Sequence, residues 1–183
     1  MNYHLFQLIN AAAGQNDHVD DAFEWAAVWL IYVLGVAAAV PVLGGLRQAR
    51  AAAVVRVAAV LGVAFVTGQV VGAVSTEVRP FQTHAVHQLI SHDPGSSLPS
   101  DHATAAFAVA FAVGAFLSWR WGAALSVLAI IVGFARIWTG VHYPADVLVA
   151  AVIGAAAVGV VDAGGRAYDR WARRRRPSAA TGH

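Results

Sequence analysis

Apolar residues run along this chain in long, nearly unbroken blocks separated by short polar segments. Five blocks read as membrane helices: Ala22 to Leu43, Ala51 to Val74, His102 to Ser118, Trp121 to Trp138 and Pro144 to Val161. Crossing the hydrocarbon core takes about 20 apolar residues, with about 17 as a lower limit, so the third and fourth are short spans with ends close to the interface. The blocks are continuous in Ala, Val, Leu and Ile, whereas a membrane strand alternates over about ten residues, so strands are set aside. The opening MNYHLFQLIN places Leu5, Phe6, Leu8 and Ile9 among polar neighbours. It is too short to span and reads either as a helix lying in the interface or as a frayed terminus. The predicted fold is all-α, a polytopic membrane helical bundle of about five transmembrane helices plus a short N-terminal interfacial helix.

Composition agrees with that pattern. The 183 residues are 58% hydrophobic and 12% charged, with a mean hydropathy of +0.61, outside the mix found in soluble domains. No Ser/Gly/Pro-rich linker divides the chain, so one membrane-embedded domain is expected over residues 1–165, with a basic tail over 166–183. The absence of cysteine excludes disulfides, thiolate metal sites and cysteine nucleophiles. The N-terminus lacks the basic n-region and small-residue cleavage pattern of a signal peptide, and is expected to be retained.

The net charge of +2 and the pI near 9.5 do not point to nucleic acid. Six of the twelve basic residues lie in the tail GRAYDRWARRRRP, which reads as a topology signal or a contact with anionic lipid. The chain has no lysine. With five spans, Arg47, Arg50, Arg56, Arg120, Arg166, Arg170 and Arg173 to Arg176 all fall on one side, which the positive-inside rule assigns to the cytoplasm. The N-terminus is then outside and the C-terminus inside. Arg79 and Arg136 remain on the outer side, each beside a helix end, where a buried or interfacial cation is expected to meet an anion.

The outer segments hold three polar clusters: EVRPF with Arg79 and Pro80, LPSDH with Pro99, Ser100, Asp101 and His102, and ARIWTGVHYPAD with Arg136, His142 and Asp146. Asp101 or Ser100 is placed to cap the third span, leaving backbone N–H groups and the positive end of the helix dipole facing outward, which suits an anion. Pro144 fits the first position of the fifth span. His142 and Asp146 then straddle a helix start, where the carboxylate can accept from one imidazole nitrogen and leave the other free to attack. A lone histidine at a helix start is more often a cap. Two histidines, two arginines and a helix N-terminus on one face instead suit phosphoryl transfer, with one histidine as nucleophile and the other as acid. The usual carboxylate cluster of a hard-metal site is missing, so no cofactor and no divalent cation are expected.

These motifs resemble the type 2 phosphatidic acid phosphatase superfamily, whose signature is Lys-x6-Arg-Pro, then Pro-Ser-Gly-His, then Ser-Arg-x5-His-x3-Asp. The chain reads Arg79-Pro80, Pro99-Ser100-Asp101-His102, and Arg136 with His142 and Asp146 at the same spacing. Asp101 in place of glycine, the MNYHLF opening and the five-span layout are similar to the bacitracin-resistance branch, whose members are undecaprenyl-diphosphatases. The resemblance implies that His142 attacks the terminal phosphorus to form a phosphohistidine, oriented by Asp146, and that His102 protonates the departing lipid phosphate and then activates water. It implies that Arg79, Ser100 and Arg136 hold the phosphoryl group, with Pro99 and Asp101 as accessory residues. The implied partners are a polyprenyl diphosphate lipid and the bilayer of a bacterial cytoplasmic membrane, with the site on the extracytoplasmic side; no oligomeric state is implied.

Two positions depart from the family pattern. Gly72 stands where the lysine belongs, leaving Gln69 or Thr76 as neutral donors, and Ala135 replaces the serine. The same residues would serve a phosphatidate or phosphatidylglycerol-phosphate phosphatase, the choice depending on the loop between Pro80 and Pro99. A different class is a non-catalytic lipid-phosphate binding or translocating protein, against which stand both histidines and Asp146. Vanadate-dependent peroxidase chemistry shares the superfamily site and is unusual in a lipid-embedded chain. His84, His87 and His92 lack a metal spacing and read as solvated loop residues. Trp25, Trp29, Trp119, Trp121 and Trp138 read as an aromatic belt, and Glu77 as a partner for Arg79.

Overall fold

The computed structural model describes residues 2–175, and among these there are seven helices and no strand. They are α1 (Asn2–Asn10), α2 (Asp17–Arg47), α3 (Ala51–Val74), α4 (Pro80–Thr83), α5 (Asp101–Phe116), α6 (Trp119–Trp138) and α7 (Pro144–Arg175). Four of them, α2, α3, α6 and α7, are long and apolar enough to cross a membrane. The polytopic helical bundle expected from the apolar blocks is the observed fold, and Asn2–Asn10 form helix α1 rather than a frayed end.

The fifth apolar helix, α5, has 16 residues, fewer than a lone span needs. Its place in the bundle accounts for this, since α5 packs against α2, α3, α6 and α7. Alanine makes the central position workable: Ala103, Ala106, Ala108, Ala110 and Ala112 are buried, and small side chains let neighbouring backbones approach. The closest approach joins α5 to α6, where a Cβ on Gly122 would lie 2.3 Å from the Cα of Gly114. At Gly154 of α7, a Cβ would meet the Ala108 backbone nitrogen at 3.1 Å.

Two helices run past the ends that hydropathy marks. Helix α2 begins at Asp17 because Asn16 caps it, its side chain accepting from the N–H groups of His18 and Val19. Asp20 is used as well, accepting from Trp138 Nε1 and Gly14 N at 2.8 Å each. Helix α7 continues through the basic segment to Arg175, supported by the Arg166–Asp162 pair and by Arg56 beside Asp169. Arg166, Arg170 and Arg173 to Arg175 therefore extend the last span's helix, while Arg176 and the end of the tail lie outside the described residues.

The bundle has a basic end and a polar-loop end. Arg50 donates to the Phe116 and Leu117 carbonyls at the C-terminus of α5, where the helix dipole favours a cation. At the other end, α1 lies across the loops like a strap. Asn2 donates to Glu77 at 3.0 Å and accepts from the Ala145 N–H at 3.1 Å, and Asn10 bonds the His87 backbone and the Trp138 carbonyl. The N-termini of α5 and α7 and the C-termini of α3 and α6 meet beneath it.

Candidate active site

The polar-loop end gathers the three sequence clusters into one site. Val78 bridges to Ser96, and the Ser97 N–H donates to the Glu77 carbonyl at 2.8 Å. The Gln82 side chain accepts from the N–H groups of both Arg79 and Gly95. These bonds hold the Arg79 segment against the loop that leads into α5. The segment after α6 is held too, with the His142 N–H donating to the Arg136 carbonyl at 3.2 Å and the Asp146 N–H to that of Tyr143.

His142 is buried and engaged at both ring nitrogens. Nδ1 lies 3.2 Å from Asp146 Oδ2, and Nε2 lies 3.0 Å from Arg79 Nη1. A guanidinium only donates and a carboxylate only accepts, so the proton sits on Nδ1 and the lone pair on Nε2. Burial pushes the imidazole down to about 4, against the opposing pull of Asp146. The contact with Asp146 is therefore a hydrogen bond from a neutral ring rather than an ion pair at neutral pH.

Around this pair stand donors that the protein itself does not use. Among the described residues, buried side-chain atoms without a hydrogen-bond partner are Arg79 Nε, Ser100 Oγ, Arg136 Nε, Arg136 Nη2 and Asp146 Oδ1. Four of these five can donate. Leaving a buried donor unmatched costs about 1–3 kcal/mol, and natural folds accept few such losses without a use for them. Arg136 is tied only through Nη1, to the Ala27 carbonyl at 3.3 Å. Ser100 is the N-cap residue of α5, yet its hydroxyl makes no capping bond. His102, half-buried in the first turn of α5, is within electrostatic reach of Arg136 and Arg79, as is His142. Such an arrangement can hold a tetrahedral anion against a histidine lone pair.

The remaining expectations fare unevenly. Asp101 is exposed and bears electrostatically on Arg79. Together with Pro99, Gly72 and Gln69 it lines a cavity of about 270 Å³ beside Arg79. Gln69 and Thr76 are both exposed, and of the two Gln69 lines this cavity. Glu77 does not pair with Arg79, because its carboxylate takes the Asn2 amide while Arg79 takes His142. Ala135 is packed in an apolar cluster with Ala26, Ala27, Leu30 and Val132.

The solvated-loop reading holds for two of the three loop histidines and fails for the third. His84 and His87 are exposed, His84 stacking on Tyr3 at 3.8 Å. His92 is half-buried, with its ring 6.1 Å from that of His142. Burial lowers its affinity for a proton, Arg79 and Arg136 lower it further, and Asp93 opposes them. Spacing could not reveal this residue, which lies 50 positions from His142 and seven before the Pro99-Ser100 motif; only the folding back of the loop brings it in.

Comparison with known proteins gives the family. A family model described as the PAP2 superfamily matches residues 53–163, which include all three clusters. The chain belongs to the PAP2 superfamily. Among PAP2 relatives, undecaprenyl-diphosphatase BcrC of Bacillus subtilis is 35% identical over 154 residues, covering 84% of this chain and 78% of the relative. A protein named bacitracin transport permease protein BcrC, from Bacillus licheniformis, is 32% identical over 158 residues, covering 84% and 75%. The crystal structure of Aquifex aeolicus LpxE superposes with a TM-score of 0.70 at 25% identity, covering 87% of this chain and 93% of that one.

Proposed function

We propose that this PAP2 protein hydrolyses undecaprenyl diphosphate to undecaprenyl phosphate and inorganic phosphate, returning a carrier lipid to use at the outer face of a bacterial cytoplasmic membrane. The observation that carries the reading is the set of unpartnered donors on Arg79, Ser100 and Arg136 around a buried histidine whose Nε2 holds a lone pair. The similarity to a relative named for this activity supports the choice of substrate.

In this reading the terminal phosphate takes the donors of Arg79, Ser100 and Arg136, and Arg79 Nη1 gives up His142 Nε2 to the phosphorus. Nε2 forms the N–P bond while the bridging P–O bond breaks, and His102, which enters this step protonated with the anion bound, gives its proton to the departing lipid phosphate. His102 then takes a proton from water, which attacks the phosphorus and breaks the N–P bond. Inorganic phosphate leaves and His142 is again neutral. Asp146 holds the Nδ1 proton throughout and offsets the positive charge that develops on the ring.

The lipid tail has a path in the same reading. A cavity of about 470 Å³ lies between α3 and α5, lined by Leu61, Ala64, Phe65, Ala105, Ala108 and Val109 among others. It shares Gly68, Gln69 and Asp101 with the cavity beside Arg79. A chain lying in this groove would bring its diphosphate to the arginine.

The test is phosphate release from undecaprenyl diphosphate and from phosphatidate by the purified protein, with excess chelator present. Release from the diphosphate at a kcat/KM at least about tenfold higher, undiminished by chelator, is the expected result. A preference for phosphatidate would move the substrate to a glycerolipid monophosphate, and release from neither would make the protein a binder.

A further inference from the structure

His92 stands at the site without a part in the chemistry set out above. Its ring lies nearly perpendicular to that of His142, at 83° and 6.1 Å between centres. The loop that carries it is anchored close by, through the Gly95 N–H to Gln82 and the Ser96 bridge to Val78. Its Nδ1 lies 3.2 Å from the Asp93 carbonyl, which can only accept. Nδ1 therefore bears the proton, and Nε2 is the nitrogen that can gain one and become a second donor.

Charge balance gives that proton a purpose. The chain contains no lysine, and the site's permanent cations are Arg79 and Arg136. Asp101, Asp146 and Asp93 already bear on Arg79. A diphosphate ester brings more negative charge than two guanidinium groups so engaged can cancel. We propose that His92 is the third cationic ligand of the substrate's phosphates, taking up a proton as the anion binds and donating to it from Nε2. This rests on the phosphatase reading above.

The groups facing His92 fit this role. Arg79 at the start of α4 and Arg136 on α6 repel a proton on it, Asp93 in its own loop attracts one, and His142 and His102 stand opposite. Before substrate binds, burial and the arginines keep the ring neutral near neutral pH. Phosphate oxygens reverse that balance, since a nearby opposite charge favours the charged form. Binding is then linked to proton uptake, and uptake becomes harder as pH rises, so KM must rise with pH.

The experiment compares the wild-type protein, His92→Gln and His92→Lys in detergent, with farnesyl diphosphate as the probe, from about pH 5.5 to about pH 8.5, the range in which histidine changes charge. In the wild type, KM is expected to rise with pH. His92→Gln should raise KM by ~10-fold at the acid end, the worth of one charged hydrogen bond, and flatten the pH dependence. His92→Lys, whose charge does not titrate in this range, should restore a low KM that stays flat. In all three, kcat should stay within about threefold, because the division of labour between His142 and His102 is untouched. A His92→Gln enzyme with the wild-type KM and pH profile would overturn the proposal, as would a His92→Lys enzyme no better than His92→Gln. Wild-type turnover is the separate control on the phosphatase reading. If the wild type turns nothing over, calorimetry with inorganic phosphate decides His92 alone: weaker binding by His92→Gln supports the proposal, and equal binding overturns it.

Discussion

Asp146 uses one carboxylate oxygen three times. Its Oδ2 accepts from the Ser97 hydroxyl, from the Tyr143 N–H at 2.8 Å and from His142 Nδ1 at 3.2 Å. The first two bonds fix the carboxylate, so that the third fixes the ring. The arrangement predicts that Asp146→Asn folds yet loses on the order of 10³-fold in kcat, because the amide carries no charge to offset the developing imidazolium. Loss of less than about tenfold, measured by phosphate release, would mean that Asp146 only orients the ring. A second consequence concerns stability. The folded His142 ring stays neutral down to about 4, whereas an unfolded one takes a proton near 6.5. As pH falls through the window between these values the unfolded chain binds more protons, so this residue's contribution to stability is present above the window and lost within it. Thermal unfolding in detergent should show a wild-type transition temperature that drops between about pH 6.5 and about pH 4, and a smaller drop in His142→Phe. Arg136, His142 and Asp146 were legible in the sequence because a six-residue and a four-residue step lead from the end of α6 into the start of α7. Ser97 and His92 were not, since each reaches His142 or Asp146 only through the fold of a loop without periodicity.

At the scale of elements, hydropathy located all five apolar helices because burial in lipid or in the bundle demands the same residues. It erred at their ends. Asn16 starts α2 five residues before the predicted Ala22, and charged pairs carry α7 fourteen residues past Val161; helix ends are set by caps and side-chain pairs, which hydropathy does not count. Nor could it show that α5 is central rather than lipid-facing, which follows from alanines and glycines that permit close crossings. The groove between α3 and α5 supplies an element-scale prediction. A Cβ on Gly68 would rest 3.7 Å from Pro99 and Thr104, an ordinary contact, so a larger side chain fits the helix but fills the cavity. Gly68→Leu is expected to raise KM for undecaprenyl diphosphate by roughly tenfold while leaving kcat/KM for farnesyl diphosphate within about threefold. An equal loss on both substrates would place the tail elsewhere.

For the whole molecule, the two ends of the bundle differ in kind. One carries Arg47, Arg50 and Arg120; the other carries His142, His92 and the strap α1. In the proposed reading, positive-inside sorting would put the first in the cytoplasm and the site outside. A cysteine at Ser96 should therefore react with a membrane-impermeant thiol reagent in intact cells, and one at Gln48 should not; the reverse pattern would remove the recycling role. The PAP2 fold and the unpartnered donors make phosphate binding the minimum account, and the central claim adds that the bound phosphate is transferred to His142 Nε2. Rapid quenching of the purified enzyme with undecaprenyl diphosphate labelled at its terminal phosphate tests this most directly. The account predicts an acid-labile, base-stable phosphoprotein that maps to His142, forms before inorganic phosphate appears, and is absent from His142→Ala. Phosphate release by His142→Ala at the wild-type rate, with no label on the protein, would contradict it.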